Sequence, residues 1–189
     1  MTSTVLKALA GASGEALPSL GLAAWPMVAI PLLSAAILLL AGRRSDKWGH
    51  ILGVAAPTAS FAVAAVAFVD LLGRPSAARG YDVDWLAWIN GGLFVDLGFR
   101  VDQLSLTFAL LVTFVGTLIH IYAVAYMAQD RDRRRFFAYL NLFVAAMLLL
   151  VLADSYLLLF VGWEGVGLAS YLLIGFWNQR LDYAVAAKK

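Results

Sequence analysis

Five long apolar stretches divide this chain, and each is long enough to cross a lipid bilayer as a helix. A helix rises about 1.5 Å per residue, so about 20 residues cross a hydrocarbon layer of about 30 Å. Hydrophobic residues make up 62% of the 189 residues and charged residues only 14%, whereas a soluble domain is about half apolar and a quarter charged. The sequence therefore predicts an all-α membrane protein with five transmembrane helices.

The predicted helices cover about residues 22–42, 48–70, 103–128, 136–153 and 155–177, within one transmembrane domain of residues 22–189. Residues 1–21 are predicted to be an N-terminal leader into the first helix. Lys7 is their only cation and the apolar stretch after it is short, which is not typical of a secretory signal. The last two predicted helices meet at Asp154 and Ser155, which predicts a tight antiparallel pair with Asp154 capping the fifth helix.

Basic residues predict the orientation of the helices, because cytoplasmic loops are enriched in lysine and arginine. With the N-terminus outside and the C-terminus inside, ten of the 14 basic residues lie on the inner side. These ten are Arg43, Arg44, Lys47, Arg131, Arg133, Arg134, Arg135, Arg180, Lys188 and Lys189.

The connection between the second and third helices carries the signals of a β-hairpin. Apolar residues alternate with other side chains over about residues 81–101, and Asn90-Gly91-Gly92 lies between the two halves. Asn-Gly is a strong hairpin-turn signal. The sequence predicts a short hairpin on the outer face. It could either lie against the helix ends or dock on a neighbouring subunit.

Composition also excludes several kinds of site. The chain has no cysteine, which excludes disulfides, thiolate metal sites and cysteine nucleophiles. Its basic residues form short clusters between apolar stretches, which does not indicate nucleic-acid binding. We expect neither a metal site nor a cofactor-binding site. The basic cluster at 131–135 has a topological explanation, and contact with anionic membrane lipids is the alternative.

Glu164 is an acid in the middle of the fifth apolar stretch, close to the centre of the predicted bilayer. A charged group there costs at least about 2.5 kcal/mol on insertion scales, so such residues usually have a function. On a helix its neighbours include Gly167 and Tyr171, and Gly167 leaves a notch one turn away that could hold water. The sequence favours a proton carrier. The alternative is that the glycines serve packing and Glu164 only forms a hydrogen bond between helices.

His120 lies in the third apolar stretch, nearer its inner end. Histidine can relay protons at physiological pH. A lone histidine in such a helix is more often a hydrogen-bonded packing residue. Both interpretations remain open from the sequence.

Several motifs in the second half of the chain resemble those of a known family. They are RFFAYLNLF at 135–143, LLLVLAD at 148–154 and, most specific, GWEGVGLASYLLIGF at 162–176, supported by RVDQLS at 100–105, LIHIY at 118–122 and AYM at 125–127. Together they resemble the large antiporter-like subunit L of respiratory complex I, the proton-translocating NADH:quinone oxidoreductase. The similarity covers about residues 25–189.

The resemblance implies a fold of about fourteen helices with two inverted repeats, each forming a proton half-channel. Glu164 matches the family's glutamate on the fifth helix, which pairs with a lysine on a later helix. Trp163, Gly165, Gly167 and Tyr171 would shape its surroundings. The hairpin would contact the adjacent antiporter-like subunit. FMN, iron–sulfur clusters and quinone would be bound by other subunits of the complex.

Family members are much longer than this chain, so we expect it to be the N-terminal part of such a subunit, unable to pump protons alone. The resemblance implies a multi-pass protein of the bacterial plasma membrane. One alternative is the large subunit of a multisubunit sodium/proton antiporter. A second is a short structural membrane protein in which Glu164 only links helices.

Overall fold

The computed structural model describes residues 18–75, 79–90 and 93–188. Seven helices and two strands follow one another along this part of the chain. They are α1 (Pro18–Leu40), α2 (Gly49–Leu72), β1 (Tyr81–Asn90), β2 (Leu93–Val101), α3 (Gln103–Tyr126), α4 (Arg133–Leu152), α5 (Tyr156–Ile174) and α6 (Leu181–Ala187), with a 3-10 turn at Gly42–Ser45 counted as the seventh helix.

Helices α1 to α5 are long and apolar enough to cross a membrane, so the predicted five spans are confirmed within the described residues. Most helix ends differ from the prediction by one to four residues, and the first helix begins at Pro18, inside the segment predicted to be a leader. Helix α4 begins at Arg133, three residues early, because the arginines are good helix formers and Asp132 already accepts a backbone hydrogen bond from Arg135. Helix α5 ends at Ile174, because Gly175 closes it with a bond to the carbonyl of Tyr171. The short helix α6 was not predicted.

The five long helices form a bundle in which α4 has the most neighbours. Helices α1 and α3 each pack on both α2 and α4, and α5 packs mainly on α4. We call the end with the two strands the hairpin end. We call the opposite end, with the 41–48 and 127–132 connections, the arginine end. A helix with so many neighbours is expected to be the most buried, and α4 has the largest buried share of the five spans, 44%.

Small residues let α2 and α4 approach closely. A methyl group added to Gly53 would lie 2.6 Å from the ring of Phe137, so no larger residue fits there. The side-chain amide of Asn141 donates to the carbonyl of Gly53 at 3.0 Å and to that of Phe137 at 2.9 Å. Close backbone approach and hydrogen bonds between helices are the main sources of helix association in a membrane, where burial of apolar surface gives no driving force.

Strands β1 and β2 pair in an antiparallel ladder that runs from Tyr81 opposite Val101 to Asn90 opposite Leu93. The connecting residues 91–92 lie outside the described chain. The base of this pair packs on the bundle: Phe99 and Val101 are buried, and the ring of Phe99 meets that of Trp25 edge to face at 5.1 Å.

The prediction that Asp154 caps α5 is wrong. Ser155 is the N-cap, and its hydroxyl accepts from the backbone N–H of Leu158. Asp154 instead joins the turn between α4 and α5 to β2. Its carboxylate accepts from the N–H of Gly98 at 2.9 Å, and its own N–H donates to the Gly98 carbonyl at 3.2 Å. A strand edge offers unpaired backbone groups, which is why an acid beside it is drawn away from the helix end.

Asp102 fixes the direction in which the chain leaves β2 and enters α3. Its carboxylate accepts from the N–H of Ser105 at 2.8 Å, and the Ser105 hydroxyl accepts from the N–H of Asp102 at 2.8 Å, which forms a capping box. Partial burial would raise the pKa of Asp102, but hydrogen bonds from Ser105 and Arg100 outweigh it and lower the pKa below its ordinary value.

We predict that Asp102→Ala lowers the free energy of unfolding by about 1 kcal/mol, because the first turn of α3 loses its cap. A lowered pKa in the folded state means that the carboxylate stabilises the protein above about pH 4 and that this contribution is lost as the pH falls further. Thermal unfolding in detergent, followed by helical circular dichroism at neutral and acid pH, measures both effects. Asp102→Asn is the control: it keeps the cap but should remove that pH dependence, and equal losses in both variants would contradict the assignment.

Candidate functional site

Glu164 lies near the middle of α5, eight residues after Tyr156 and ten before Ile174. At about 1.5 Å per residue, it is about 12 Å from one end of the helix and about 15 Å from the other. Its side chain is exposed on the surface of the bundle. None of the ion pairs or hydrogen bonds found among residues 18–75, 79–90 and 93–188 includes it. Glu164 therefore lies at the depth predicted from the sequence. The described helices give its carboxyl group no hydrogen-bond or ion-pair partner.

The opposite side of α5 is pressed against α4 by two glycines. A methyl group on Gly162 would lie 2.7 Å from the backbone nitrogen of Leu150 and 2.8 Å from its Cα, and one on Gly165 would lie 3.0 Å from the methyl of Ala146. Leu158 and Ala169, one turn before and after, are also buried. Backbone atoms cannot move aside as a side-chain end can, so this contact fixes the rotation of α5 about its own axis.

The rotation of α5 separates the residues predicted to surround Glu164. Gly167 and Tyr171 lie three and seven positions after it, on the same exposed face, and no atom would meet a methyl group on Gly167 within 4 Å. Trp163 flanks this face and is 66% exposed. Gly165 does not belong to the group, because it packs on α4. We call Glu164, Gly167 and Tyr171 the carboxylate face.

His120 occupies a different place. It is 1% exposed inside the bundle, its ring lies 6.1 Å from that of Phe137, and its Nδ1 is 2.7 Å from the carbonyl of Gly116. An apolar groove of about 320 Å³ between α3 and α4 reaches it. His120 therefore faces one side of α4, whereas α5 contacts the other side through Ala146 and Leu150. The structure does not bring His120 and Glu164 together.

Asn141 is one of several buried polar residues that reasoning from the sequence missed; Ser34 and Ser60 are others. Asn141 is fully buried on α4, and its amide links α2 to α4. The signal was present in the sequence, because it is the one amide side chain in the apolar stretch at 136–153. Among the described residues, no group of three or more histidine or acidic side chains could hold a metal ion.

The chain is similar to proteins of known families. Residues 85–137 match the family described as NADH-Ubiquinone oxidoreductase (complex I), chain 5 N-terminus. NADH-quinone oxidoreductase subunit L of Mycobacterium tuberculosis is 61% identical over 166 residues, which are 87% of this chain and 26% of that protein. The subunit of the same name from Escherichia coli K12 is 42% identical over 165 residues, 86% of this chain and 26% of that protein.

These similarities confirm the resemblance inferred from the motifs and favour subunit L over a sodium/proton antiporter subunit. The chain spans about a quarter of the length of these curated relatives, 26% in both cases. A solved structure of the membrane-bound sulfane sulfur reductase, an archaeal respiratory membrane complex, shares the fold. The TM-score is 0.62 and the sequence identity is 19%. The match covers 79% of this chain and 22% of the chain in that structure.

We predict that alanine at two glycines of α5 has opposite effects on stability. Gly167→Ala should raise the free energy of unfolding by up to about 1 kcal/mol, because alanine is the better helix former and the added methyl meets nothing. Gly162→Ala should lower it by roughly 1–3 kcal/mol, because the methyl would overlap the backbone of Leu150. Thermal unfolding of both variants in detergent tests this pair. A shift of the same sign in both would mean that α5 is rotated differently against α4.

Proposed function

Because the chain matches the N-terminal portion of the antiporter-like subunit L of complex I, we propose that it supplies a proton-carrying carboxyl group, Glu164, to a half-channel. Proton movement there is coupled to electron transfer from NADH to quinone elsewhere in the complex. The observation that carries the proposal is the position of Glu164, at the middle of a membrane-spanning helix and on a face that its own bundle leaves uncovered. Ionisable residues at such depth typically mark proton pathways.

The carboxylate face is proposed to pack against the remaining part of the subunit. An acid near the centre of a bilayer needs a partner or water, and helices α1, α2, α3 and α5 contain no lysine or arginine. The basic residues of α4 are confined to its first turn, at the arginine end. The resemblance supplies the partner from outside this chain, as a lysine on a later helix.

A carboxyl group with a movable partner can bind and release a proton. Burial favours the neutral form of a carboxylic acid, and a nearby cation favours the carboxylate. When the cation approaches, the proton is released. When it withdraws, a proton is taken up. Gly167, one turn from Glu164 on the carboxylate face, leaves room for the water through which that proton would travel.

The proposal also includes an orientation of the chain in the membrane. We place the arginine end on the inner side of the membrane and the hairpin on the outer face, according to the distribution of basic residues. The base of the hairpin is fixed to the bundle by Asp154 and Phe99, and we propose that the hairpin docks on the adjacent antiporter-like subunit. At the arginine end, a pocket of about 680 Å³ is lined by Arg131, Arg135 and Arg180 and also by Asp130 and Asp132. Its arginines are proposed to contact anionic lipids.

The redox chemistry is assigned to other subunits, which would bind FMN, the iron–sulfur clusters and quinone. The chain would thus be one subunit of an enzyme complex in which it supplies proton movement rather than electron transfer. Its partners would be the other membrane subunits and the lipids, without nucleic acid. By analogy with its bacterial relatives, we place it in the bacterial plasma membrane as a multi-pass protein.

We predict that Glu164→Gln in the complete complex sharply lowers both proton pumping and coupled electron transfer. Glutamine has the shape of the acid and can still form hydrogen bonds between helices, but it cannot carry a proton. The measurement is proton uptake per electron by inside-out vesicles driven by NADH. Asp182→Asn is the matched control, because Asp182 is an exposed acid on α6, outside the spans.

Two results would count against the proposal. An unchanged proton-to-electron ratio in Glu164→Gln would leave Glu164 with only a structural role. Proton exchange that depends on a sodium gradient rather than on NADH would favour the sodium/proton antiporter alternative.

A further inference from the structure

Three buried polar side chains lie at nearly one depth inside the bundle, away from Glu164. Ser34 of α1, His120 of α3 and Asn141 of α4 are each at most 2% exposed. Each has one polar atom without a hydrogen-bond partner among the described residues: Oγ of Ser34, Nε2 of His120 and Oδ1 of Asn141. An unsatisfied buried polar atom is unfavourable, and native proteins rarely keep three of them together.

Contacts between the helices place the three side chains in one band. Ser34 and His120 are each six residues from the arginine end of their helix and Asn141 is eight, so their depths are about 9 Å, 9 Å and 12 Å. The Cβ position of Gly49 lies 2.9 Å from the side chain of Leu38, and the hydroxyl of Ser60 bonds the carbonyl of Met27.

Both of these contacts set Ser34 level with Gly53. Ser34 is four residues before Leu38 and seven after Met27, and Gly53 is four residues after Gly49 and seven before Ser60. Gly53 is the residue whose carbonyl Asn141 bonds, and it touches Phe137, whose ring also meets His120. All three side chains are therefore linked to the level of Gly53, Asn141 by a hydrogen bond, His120 through Phe137 and Ser34 by its depth.

The hydrogen-bond chemistry of Asn141 and His120 indicates what kind of partner their unpaired atoms need. Both N–H groups of the Asn141 amide are used by two carbonyls, which fixes Oδ1 as an acceptor. Nδ1 of His120 lies against the Gly116 carbonyl and must carry the proton, so Nε2 of the neutral ring is also an acceptor. Two acceptors cannot bond each other. A small molecule that donates hydrogen bonds would satisfy both acceptors.

We propose that this band is an internal hydration site, in which one water donates a hydrogen bond to Oδ1 of Asn141 and a second donates to Nε2 of His120. Water is the donor that fits, because it is small, offers two O–H groups and can accept in turn from the hydroxyl of Ser34. Buried water of this kind typically makes about three hydrogen bonds to otherwise unsatisfied groups. The site lies on the far side of α4 from the carboxylate face and does not depend on the role of Glu164.

The test is a structure of the complete complex at a resolution that shows ordered water, together with two variants. Density for water within about 3.2 Å of Oδ1 of Asn141 and of Nε2 of His120 is expected. In His120→Leu the water next to Nε2 should be lost, while the water on Asn141 remains. Thr113→Val is the control, because Thr113 is buried on the same helix but already donates to the Ala109 carbonyl at 2.7 Å. It should leave both water positions unchanged.

A dry band would overturn the proposal. The hydroxyl of Ser34, or a protonated Nε2 of His120, would then lie within hydrogen-bond distance of Oδ1 of Asn141, with no density between them. Stability gives a second measurement on the same complex. If Nε2 has no partner, His120→Leu removes an unsatisfied group and should raise the unfolding temperature, whereas loss of a bound water should lower it.

Discussion

The contact between α4 and α5 is the constraint on which the candidate site depends. Gly162 places the backbone of α5 directly on that of α4, at a distance where even a methyl group would not fit. Since a helix has a fixed angle between residues, fixing one side of α5 determines where every other side points. Glu164 is consequently turned away from the bundle. The same glycines that could have served only packing also decide the direction of the acid.

The turn that joins these two helices is held by hydrogen bonds to a strand. Asp154 exchanges two hydrogen bonds with Gly98 of β2, so the α4–α5 pair and the hairpin base form one unit. Asp102 continues that unit into α3 through its capping box. Asp154 and Asp102 bond backbone groups at the hairpin end, whereas Glu164 and the band of Ser34, His120 and Asn141 place polar groups inside the membrane.

Much of the fold could be predicted from the sequence, because a bilayer allows few structures. A span must satisfy its own backbone groups, so apolar stretches of about 20 residues become helices whatever their partners. Helix ends were predicted less well, as at Arg133 and Ile174, because they depend on single capping bonds. Asp154 was misassigned for a related reason. Its choice between a helix end and a strand edge depends on where β2 lies, which local sequence does not state.

The sequence alone determined that the chain spans a membrane five times, that an acid lies at the middle of the last span, and which family its motifs resemble. Only the tertiary structure decided which residues lie next to each other across the helices. It placed Gly165 on α4 rather than beside Glu164, kept His120 on the other side of α4, and revealed Asn141 in the bundle interior. The reason is physical: spacing along a helix fixes relative angles, but the absolute rotation of the helix is set by contacts with its neighbours.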